Sequence, residues 1–141
     1  MERYQHYING QWTDPSSGEW FLSENPYTGE PWAKIARGSA QDIDKAVTSA
    51  KAAFEGRWGE MKPTQRGKIL VRLAELIERD AKRLGEVEVR DNGKLLAEMG
   101  AQTKYVAEWY RYYGGLADKV EGSVIPSDKP GIFNFTRYEP Y

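Results

Sequence analysis

The most informative stretch of this chain is Arg111-Tyr112-Tyr113-Gly114-Gly115-Leu116-Ala117-Asp118, near the end of a longer helical pattern. Apolar residues recur every three or four positions from about Leu96 to Lys119, which predicts an amphipathic helix. Glycine costs about 1 kcal/mol relative to alanine inside a helix, so we expect the glycine pair to permit close approach of another backbone. Gly122 is placed to end the helix. The positions expected to face the core are Met99, Val106, Tyr110, Tyr113, Ala117 and Val120.

A second helical region precedes this one. Thr64 is predicted to cap its start, Asp80 to restart the chain after a kink, and Gly93 to end it. The charged side chains between Glu75 and Glu88 are interpreted as a solvated face without a function of their own. The apolar stripe of the region consists of Ile69, Leu70, Leu73, Leu76, Ile77, Leu84 and Val87.

A further helix is predicted to begin after Ser39. The sequence Ser39-Ala40-Gln41-Asp42 has the pattern of a capping box, in which the hydroxyl accepts from a backbone amide three residues on. A carboxylate in the first turn also faces the positive end of the helix. Gly56 is a suitable stop. The apolar residues at helical spacing are Ile43, Val47, Ala50 and Phe54.

The N-terminal part predicts strands and turns. Asn9-Gly10 stands between short apolar and aromatic flanks, and both residues tolerate the positive φ of a tight hairpin, so residues 7–12 should form a two-stranded ribbon. Extended stretches at 20–23 and 32–35 flank Asn25-Pro26-Tyr27-Thr28-Gly29, where proline and glycine suit a turn.

The C-terminal part predicts an extended strand. Side chains from Ile132 to Tyr138 alternate in direction as in a strand, with neither side clearly the inner one. A long strand at the end of a chain offers unpaired amides and carbonyls, so we expect a partner sheet or a continuation of the chain. The fold class expected for this segment is therefore mainly helical, with an N-terminal β ribbon and a C-terminal strand.

Composition restricts the classes of function. The 141 residues carry a net charge of −1, with 40% hydrophobic and 29% charged residues and no cysteine. The chain has no basic stripe for a nucleic acid and no apolar run for a membrane, so neither is expected as a partner and a cytoplasmic protein is predicted. The lack of cysteine excludes a disulfide framework and a cysteine nucleophile within these residues. His6, the only histidine, is expected to be a solvated tail residue.

No catalytic or cofactor-binding residue is predicted in this segment. The phosphate-binding glycine patterns are missing, and nothing shows that two carboxylates converge. The sharpest polar sequence, Asp91-Asn92-Gly93-Lys94, could bind an ion or close a helix end. The aromatic cluster around Arg111 could stack on nucleic-acid bases, but its helical spacing favours packing in a core or an interface. That cluster is formed by Tyr105, Trp109, Tyr110, Tyr112 and Tyr113.

Four segments occur in a fixed order: Asn25-Pro26-Tyr27-Thr28-Gly29-Glu30, Arg66-Gly67-Lys68-Ile69-Leu70, Asp91-Asn92-Gly93-Lys94 and the stretch 111–118. Together they resemble the N-terminal third of an NAD(P)-dependent aldehyde dehydrogenase, and the resemblance runs from about Tyr7 to Tyr141. It implies a parent enzyme of α/β fold that oxidises an aldehyde to a carboxylic acid with NAD or NADP, whose contacts lie outside this segment.

The same resemblance implies how the segment is used. Residues 1–121 would belong to the coenzyme-binding domain, and residues 122–141 would start an arm that joins subunits into a homo-oligomer. The implied partner is the remainder of the parent subunit. Because the resemblance ends before the catalytic residues of such an enzyme, the segment alone is expected to be inactive.

Two sets of site residues are also implied by the resemblance. Asp91 is similar to a residue that helps to hold a structural monovalent cation, together with backbone carbonyls that correspond to Ser23 and Glu24. Ala101 and Tyr105 are similar to residues along the aldehyde tunnel. For Tyr105 the alternative is ordinary packing in the core.

Two other functions are considered. The chain could be a stand-alone helical interaction module that docks by its terminal strand onto a partner sheet. It could also be a small independent enzyme that uses carboxylates, which would require activity without any added subunit.

Overall fold

The computed structural model describes residues 1–139, and Pro140 and Tyr141 lie outside the described residues. Helices dominate between residues 40 and 116, with short strands on either side. The strands are β1 (Glu2–Tyr4), β2 (His6–Ile8), β3 (Gln11–Thr13), β4 (Trp20–Glu24), β5 (Pro31–Ala36), β6 (Val124–Ile125) and β7 (Asn134–Phe135). The helices are α1 (Ala40–Glu55), α2 (Arg57–Glu60), α3 (Pro63–Arg79), α4 (Ala81–Asn92) and α5 (Leu96–Leu116). The predicted fold class is confirmed.

The N-terminal ribbon has the predicted geometry. β2 and β3 pair antiparallel, and the turn between them has φ of 52° at Asn9 and 74° at Gly10. These angles are those of a tight hairpin turn that Asn-Gly favours. β4 and β5 also pair antiparallel around the predicted turn at residues 25–29.

β1 was not predicted from the sequence. It pairs in parallel with β5, so that the sheet has the order β1-β5-β4. The three residues Glu2-Arg3-Tyr4 carry no apolar alternation, and their partner lies about thirty positions away in the chain. A parallel pairing over such a distance leaves no local sequence pattern.

Helix ends follow the predicted signals with two exceptions, at the start of α3 and at the end of α5. The capping box is present at the start of α1: Asp42 accepts from the Ser39 amide at 3.0 Å, and the Ser39 hydroxyl accepts from the Asp42 amide at 3.4 Å. Thr64 was predicted to cap α3, which is wrong. The helix begins at Pro63, with Lys62 as its N-cap. Proline suits that first position because it has no amide hydrogen to satisfy.

α3 and α5 pack against each other at a pair of glycines. A Cβ on Gly114 would lie 2.9 Å from the carbonyl oxygen of Gly67 and 3.1 Å from a methyl group of Val71. A Cβ on Gly67 would overlap the carbonyl oxygen of Gly114. The predicted close backbone approach is confirmed for Gly114, whereas Gly115 faces open space.

The buried face of α5 differs from the prediction. Met99 is fully buried as expected, but Val106, Tyr113 and Val120 are exposed. Apart from Met99, the interior positions carry small side chains or none, which lets α3 pack close to this face. These positions are Met99, Thr103, Ala107 and Gly114.

The core is small, and much apolar surface faces outward. Among residues 1–139, Met99 is the only large side chain that is fully buried. The helical stripe predicted for α1 exists, but it is uncovered: Ile43, Val47 and Phe54 are 50–60% exposed. The stripe therefore describes a face that other material could cover rather than a core within this chain.

The C-terminal segment contains a strand, but it is shorter than predicted. Of residues 132–138, only Asn134 and Phe135 form β7, and they pair antiparallel with Ile125 and Val124. α5 ends at Leu116, before the predicted stop at Gly122.

Candidate functional site

Ser23 and Asp91 meet at the junction of the sheet and the helices. The Ser23 hydroxyl, near the end of β4, donates a hydrogen bond of 2.6 Å to Asp91 Oδ1 in the last turn of α4. The same hydroxyl accepts a bond of 3.1 Å from the indole Nε1 of Trp32 on β5. Two residues that are far apart in the chain are thus held together by side chains from three elements.

The end of α4 shows how Asp91 is positioned. Gly93 ends the helix in the left-handed conformation, with φ of 74°, and its amide donates to the Val89 carbonyl at 2.9 Å. A Cβ at Gly93 would lie 3.2 Å from Pro26, so the turn before β5 packs directly on the helix end. Asn92 accepts from the Lys94 amide at 2.9 Å. The helix-stop interpretation of this sequence is confirmed, and it leaves the Asp91 carboxylate directed to Ser23.

The side-chain atoms of Ser23 and Asp91 that could bind an ion are oxygens. The register of the pairing between β4 and β5 shifts between Ser23 and Glu24, which interrupts the regular backbone ladder near Asp91. No group of three His, Cys, Asp or Glu side chains that could hold a metal ion occurs within residues 1–139.

Ala101 and Tyr105 lie one helical turn apart on an exposed face of α5. Tyr105 is 61% exposed, so the alternative that it packs in the core does not hold in the described part of the chain. Its ring stands nearly perpendicular to that of Trp109, with centroids 5.9 Å apart. The centroid of the Trp109 ring lies 6.5 Å from that of Tyr112 and 6.3 Å from that of Tyr113.

Arg111 pairs with two carboxylates. Its guanidinium donates to Glu78 of α3 and to Glu108 one turn earlier in α5. These two carboxylates hold the pKa of Arg111 above its usual value, with Glu78 the larger cause. Arg111 therefore ties α5 to α3.

A polar cluster around Asp42 was not predicted from the sequence. The carboxylate is buried, and it accepts from the Ser16 hydroxyl at 2.5 Å, the Ser16 amide at 3.1 Å and the Ser39 hydroxyl at 2.8 Å. These bonds, above all the one from the Ser16 hydroxyl, hold the pKa of Asp42 well below its usual range. The pattern around Ser39 signalled only the local cap.

His6 belongs to the same cluster, so the prediction of a solvated tail residue is wrong. Its side chain is 20% exposed, and its Nε2 lies 3.8 Å from Asp42 Oδ2. A signal was available, because alternation along β2 puts His6 on the same side as Ile8, away from the exposed Tyr7.

The comparisons with known proteins agree on one family. The model of the aldehyde dehydrogenase family matches residues 12–141. The chain is 45% identical over 141 residues to the (Z)-2-((N-methylformamido)methylene)-5-hydroxybutyrolactone dehydrogenase of Acinetobacter baylyi, covering 99% of this chain and 28% of that protein.

Solved structures show the same relationship. A mutant of the aldehyde dehydrogenase from Bacillus cereus superposes on 99% of this chain and 28% of its own, with a TM-score of 0.90 and 35% identity. A betaine aldehyde dehydrogenase from Staphylococcus aureus, solved in complex with NAD+, covers 90% of this chain and 26% of its own, with a TM-score of 0.83 and 31% identity.

These similarities define the class as an α/β dehydrogenase fold. The chain belongs to the aldehyde dehydrogenase family. It spans about 28% of the length of the relatives it matches. Within residues 1–139, none of the helices is both long enough and apolar enough to cross a bilayer. The predicted cytoplasmic location stays a prediction.

Proposed function

We propose that this chain is the N-terminal portion of an NAD(P)-dependent aldehyde dehydrogenase that converts an aldehyde into a carboxylic acid. The observation that carries the proposal is the superposition of 99% of the chain on a solved aldehyde dehydrogenase of which it spans 28%. The chain has no cysteine, so a thiol nucleophile and its base would come from the remainder of the subunit. A nicotinamide cofactor bound there would accept the hydride.

Residues 1–121 are proposed to form an outer layer of the coenzyme-binding domain. The exposed apolar face of α1 supports this assignment, because isolated domains rarely leave so many large apolar side chains uncovered. The remainder of the parent subunit is the proposed partner of that face. The apolar contact would then contribute to the stability of the intact enzyme.

Residues 122–141 are proposed to begin the arm that joins subunits into a homo-oligomer. Within the described residues, β6 and β7 form a sheet of their own, with Val124, Ile125 and Phe135 exposed. The rings of Phe133 and Phe135 lie 5.6 Å apart on this ribbon. A short ribbon is unstable alone, so pairing with a further sheet would stabilise it.

The site residues have separate proposed roles. Ala101 and Tyr105 would line the aldehyde tunnel, supported by their exposure on one face of α5. Asp91, with carbonyls of Ser23 and Glu24, would hold a structural monovalent cation, supported by the contact between Ser23 and Asp91. Neither set would take part in bond making, and both would act by position or stability.

An activity assay of the intact protein that carries this chain tests the proposal. Purified protein is given a panel of aliphatic and aromatic aldehydes with NAD+ or NADP+, and formation of the reduced nicotinamide and of the acid are both measured. Turnover that yields acid is the expected result. The 141-residue chain alone serves as the control, and we expect it to show none. An intact protein that oxidises no aldehyde, or an active isolated chain, would contradict the proposal.

The stand-alone interaction module has less support. β7 is two residues long, and one of its edges is already paired with β6. Docking by strand addition needs a longer free edge. A monomeric, cooperatively unfolding product of these residues alone would favour the module.

A further inference from the structure

The chain has four asparagines, and the residue that follows each one decides how reactive its side chain is. A backbone nitrogen can attack the side-chain carbonyl carbon of the asparagine before it, which closes a five-membered ring and releases ammonia. This route is closed at Asn25, because the nitrogen of Pro26 carries no hydrogen. It is obstructed at Asn134 by the large side chain of Phe135, and both of these residues are paired in β7.

The other two asparagines precede glycine, at Asn9-Gly10 and Asn92-Gly93. Glycine has no side chain to obstruct the attack, so these are the two reactive dipeptides. Both asparagines are exposed, and both glycines have φ of 74°. The two dipeptides are therefore alike in sequence, exposure and glycine conformation, and they differ in the hydrogen bonds that hold them.

The reacting groups of Asn92-Gly93 are all held by hydrogen bonds. The Asn92 side-chain oxygen accepts from the Lys94 amide at 2.9 Å, and its nitrogen donates to Glu88 at 3.2 Å. The Gly93 amide, which would be the attacking group, donates to the Val89 carbonyl at 2.9 Å. Ring closure there requires these bonds to break, and with them the end of α4.

No such bonds hold Asn9-Gly10. Within residues 1–139, neither the Asn9 side chain nor the Gly10 amide forms a hydrogen bond. The pairing of β2 with β3 ends at Ile8 and Gln11, so the two turn residues lie beyond the ladder. A Cβ on Gly10 would meet nothing within 4 Å. The peptide between Asn9 and Gly10 can therefore rotate into the geometry of attack without breaking a ladder bond.

We propose that Asn9 is a site of spontaneous deamidation, whereas Asn92 is protected by the end of α4. The Gly10 nitrogen loses its proton to hydroxide and forms a bond to the side-chain carbonyl carbon of Asn9. The bond from that carbon to the side-chain nitrogen breaks, and the nitrogen leaves as ammonia with a proton from the solvent. Water then opens the succinimide ring at either of its two carbonyl carbons. Water and hydroxide are the only co-reactants.

Both products change the hairpin. One opening leaves aspartate at position 9, and the other leaves isoaspartate, whose main chain runs through the side-chain methylene carbon and is longer by one atom. A two-residue turn fixes the register of its strands, so the longer main chain should disturb the pairing of β2 with β3. Both products also add a carboxylate. Asn9 lines a cleft of about 620 Å³ between the hairpin and α1, together with Asp44 and Lys45, so the new charge arises where the hairpin meets that helix.

Ageing of the intact protein tests the proposal. The folded protein is incubated at mildly alkaline pH in heavy-oxygen water, because opening of the ring places a solvent oxygen in the product. Digestion in ordinary water then separates this reaction from deamidation during handling, and mass spectrometry quantifies the peptides that contain Asn9 and Asn92. We expect deamidation roughly tenfold faster at Asn9, the factor that corresponds to about 1.4 kcal/mol of hydrogen bonding lost at Asn92.

The unfolded protein is the matched reference. In denaturant both dipeptides lose their bonds, so Asn9 and Asn92 should react at similar rates, which assigns the difference to the fold. Asn9→Gln should remove most of the deamidation from the hairpin peptide, because the longer side chain closes a ring more slowly, and should leave the Asn92 peptide unchanged. Equal rates at the two sites of the folded protein, faster reaction at Asn92, no reaction at Asn9, or the same ratio in the unfolded protein would overturn the proposal.

Discussion

Gly67 of α3 and Gly114 of α5 touch through their backbones, and neither position has room for a side chain. A Cβ on Gly114 would lie 2.9 Å from the Gly67 carbonyl oxygen, a separation that real side chains do not adopt. The two helices can approach this closely only because both residues lack a side chain. The contact sets how α5 lies on α3, and hence where the face with Ala101 and Tyr105 is presented.

Alanine at Gly114 should destabilise the protein. The added methyl group meets backbone of α3, and such overpacking typically costs about 1–3 kcal/mol. Gly115→Ala is the matched control, because a Cβ at Gly115 meets nothing within 4 Å. We expect that control to be neutral or to gain up to about 1 kcal/mol from the better helix propensity of alanine. Denaturant unfolding of both variants measures the difference, and equal free energies of unfolding would refute this account of the helix crossing.

Alanine at Gly93 should also destabilise, for two separable reasons. Its φ of 74° strains any residue with a side chain, by roughly 1 kcal/mol. The methyl group would in addition press on Pro26, at 3.2 Å. Gly131→Ala controls for the first cause, since Gly131 has φ of 77° and open space around it. Thermal unfolding should show a lower melting temperature for Gly93→Ala than for Gly131→Ala. The same melting temperature in both variants would mean that the Pro26 contact contributes nothing.

Asp42 should make the protein sensitive to acid. Its folded-state pKa is lowered, so the ionised carboxylate stabilises the fold at all pH values above its unfolded pKa of about 4. That contribution is lost as the pH falls from about 4 through the lower folded value. Asp42→Asn should therefore be less stable than the wild type near neutral pH, and the gap should close in acid.

Asp44→Asn serves as the control for this acid effect, because Asp44 lies exposed on the same helix. Equilibrium unfolding at a series of pH values gives the two difference curves. A gap for Asp42→Asn that stays constant down to the lowest pH, or one that matches Asp44→Asn, would argue against the Ser16 and Ser39 bonds as its cause.

The proposed cation site predicts ion-dependent stability. The melting temperature of the intact protein should be higher in sodium or potassium chloride than in the chloride of a large organic cation at equal ionic strength, because an ion that binds the folded state at Asp91 and the carbonyls of Ser23 and Glu24 would stabilise it. Asp91→Ala should remove this difference, and Asp44→Ala should leave it intact. An unchanged cation dependence in Asp91→Ala would place any bound ion elsewhere.

Local patterns predicted the elements well. The Asn9-Gly10 turn, the capping box at Ser39 and the helix end at Gly93 all lie where the sequence indicates, because each depends on residues within a few positions of one another. The spacing of apolar residues, three or four positions apart, also predicted correctly that α5 is a helix. It did not predict the buried face of that helix, since the spacing fits both the large side chains and the small ones beside them.

The candidate site could be predicted only in part. The resemblance to a family named Asp91, Ser23 and Glu24 together, but nothing in the residues themselves joined positions so far apart. The cluster of His6, Ser16 and Asp42 was missed for the same reason, because its members belong to three different elements.

The amino-acid sequence by itself determined the helices, the turns and the family, since these depend on short-range spacing and on matched motifs in order. Only the tertiary structure decided which of two adjacent glycines meets α3, which face of α5 is covered, and that His6 lies inside against Asp42. The physical reason is that such contacts depend on how whole elements pack, and packing responds to the shapes of residues that are remote in the chain.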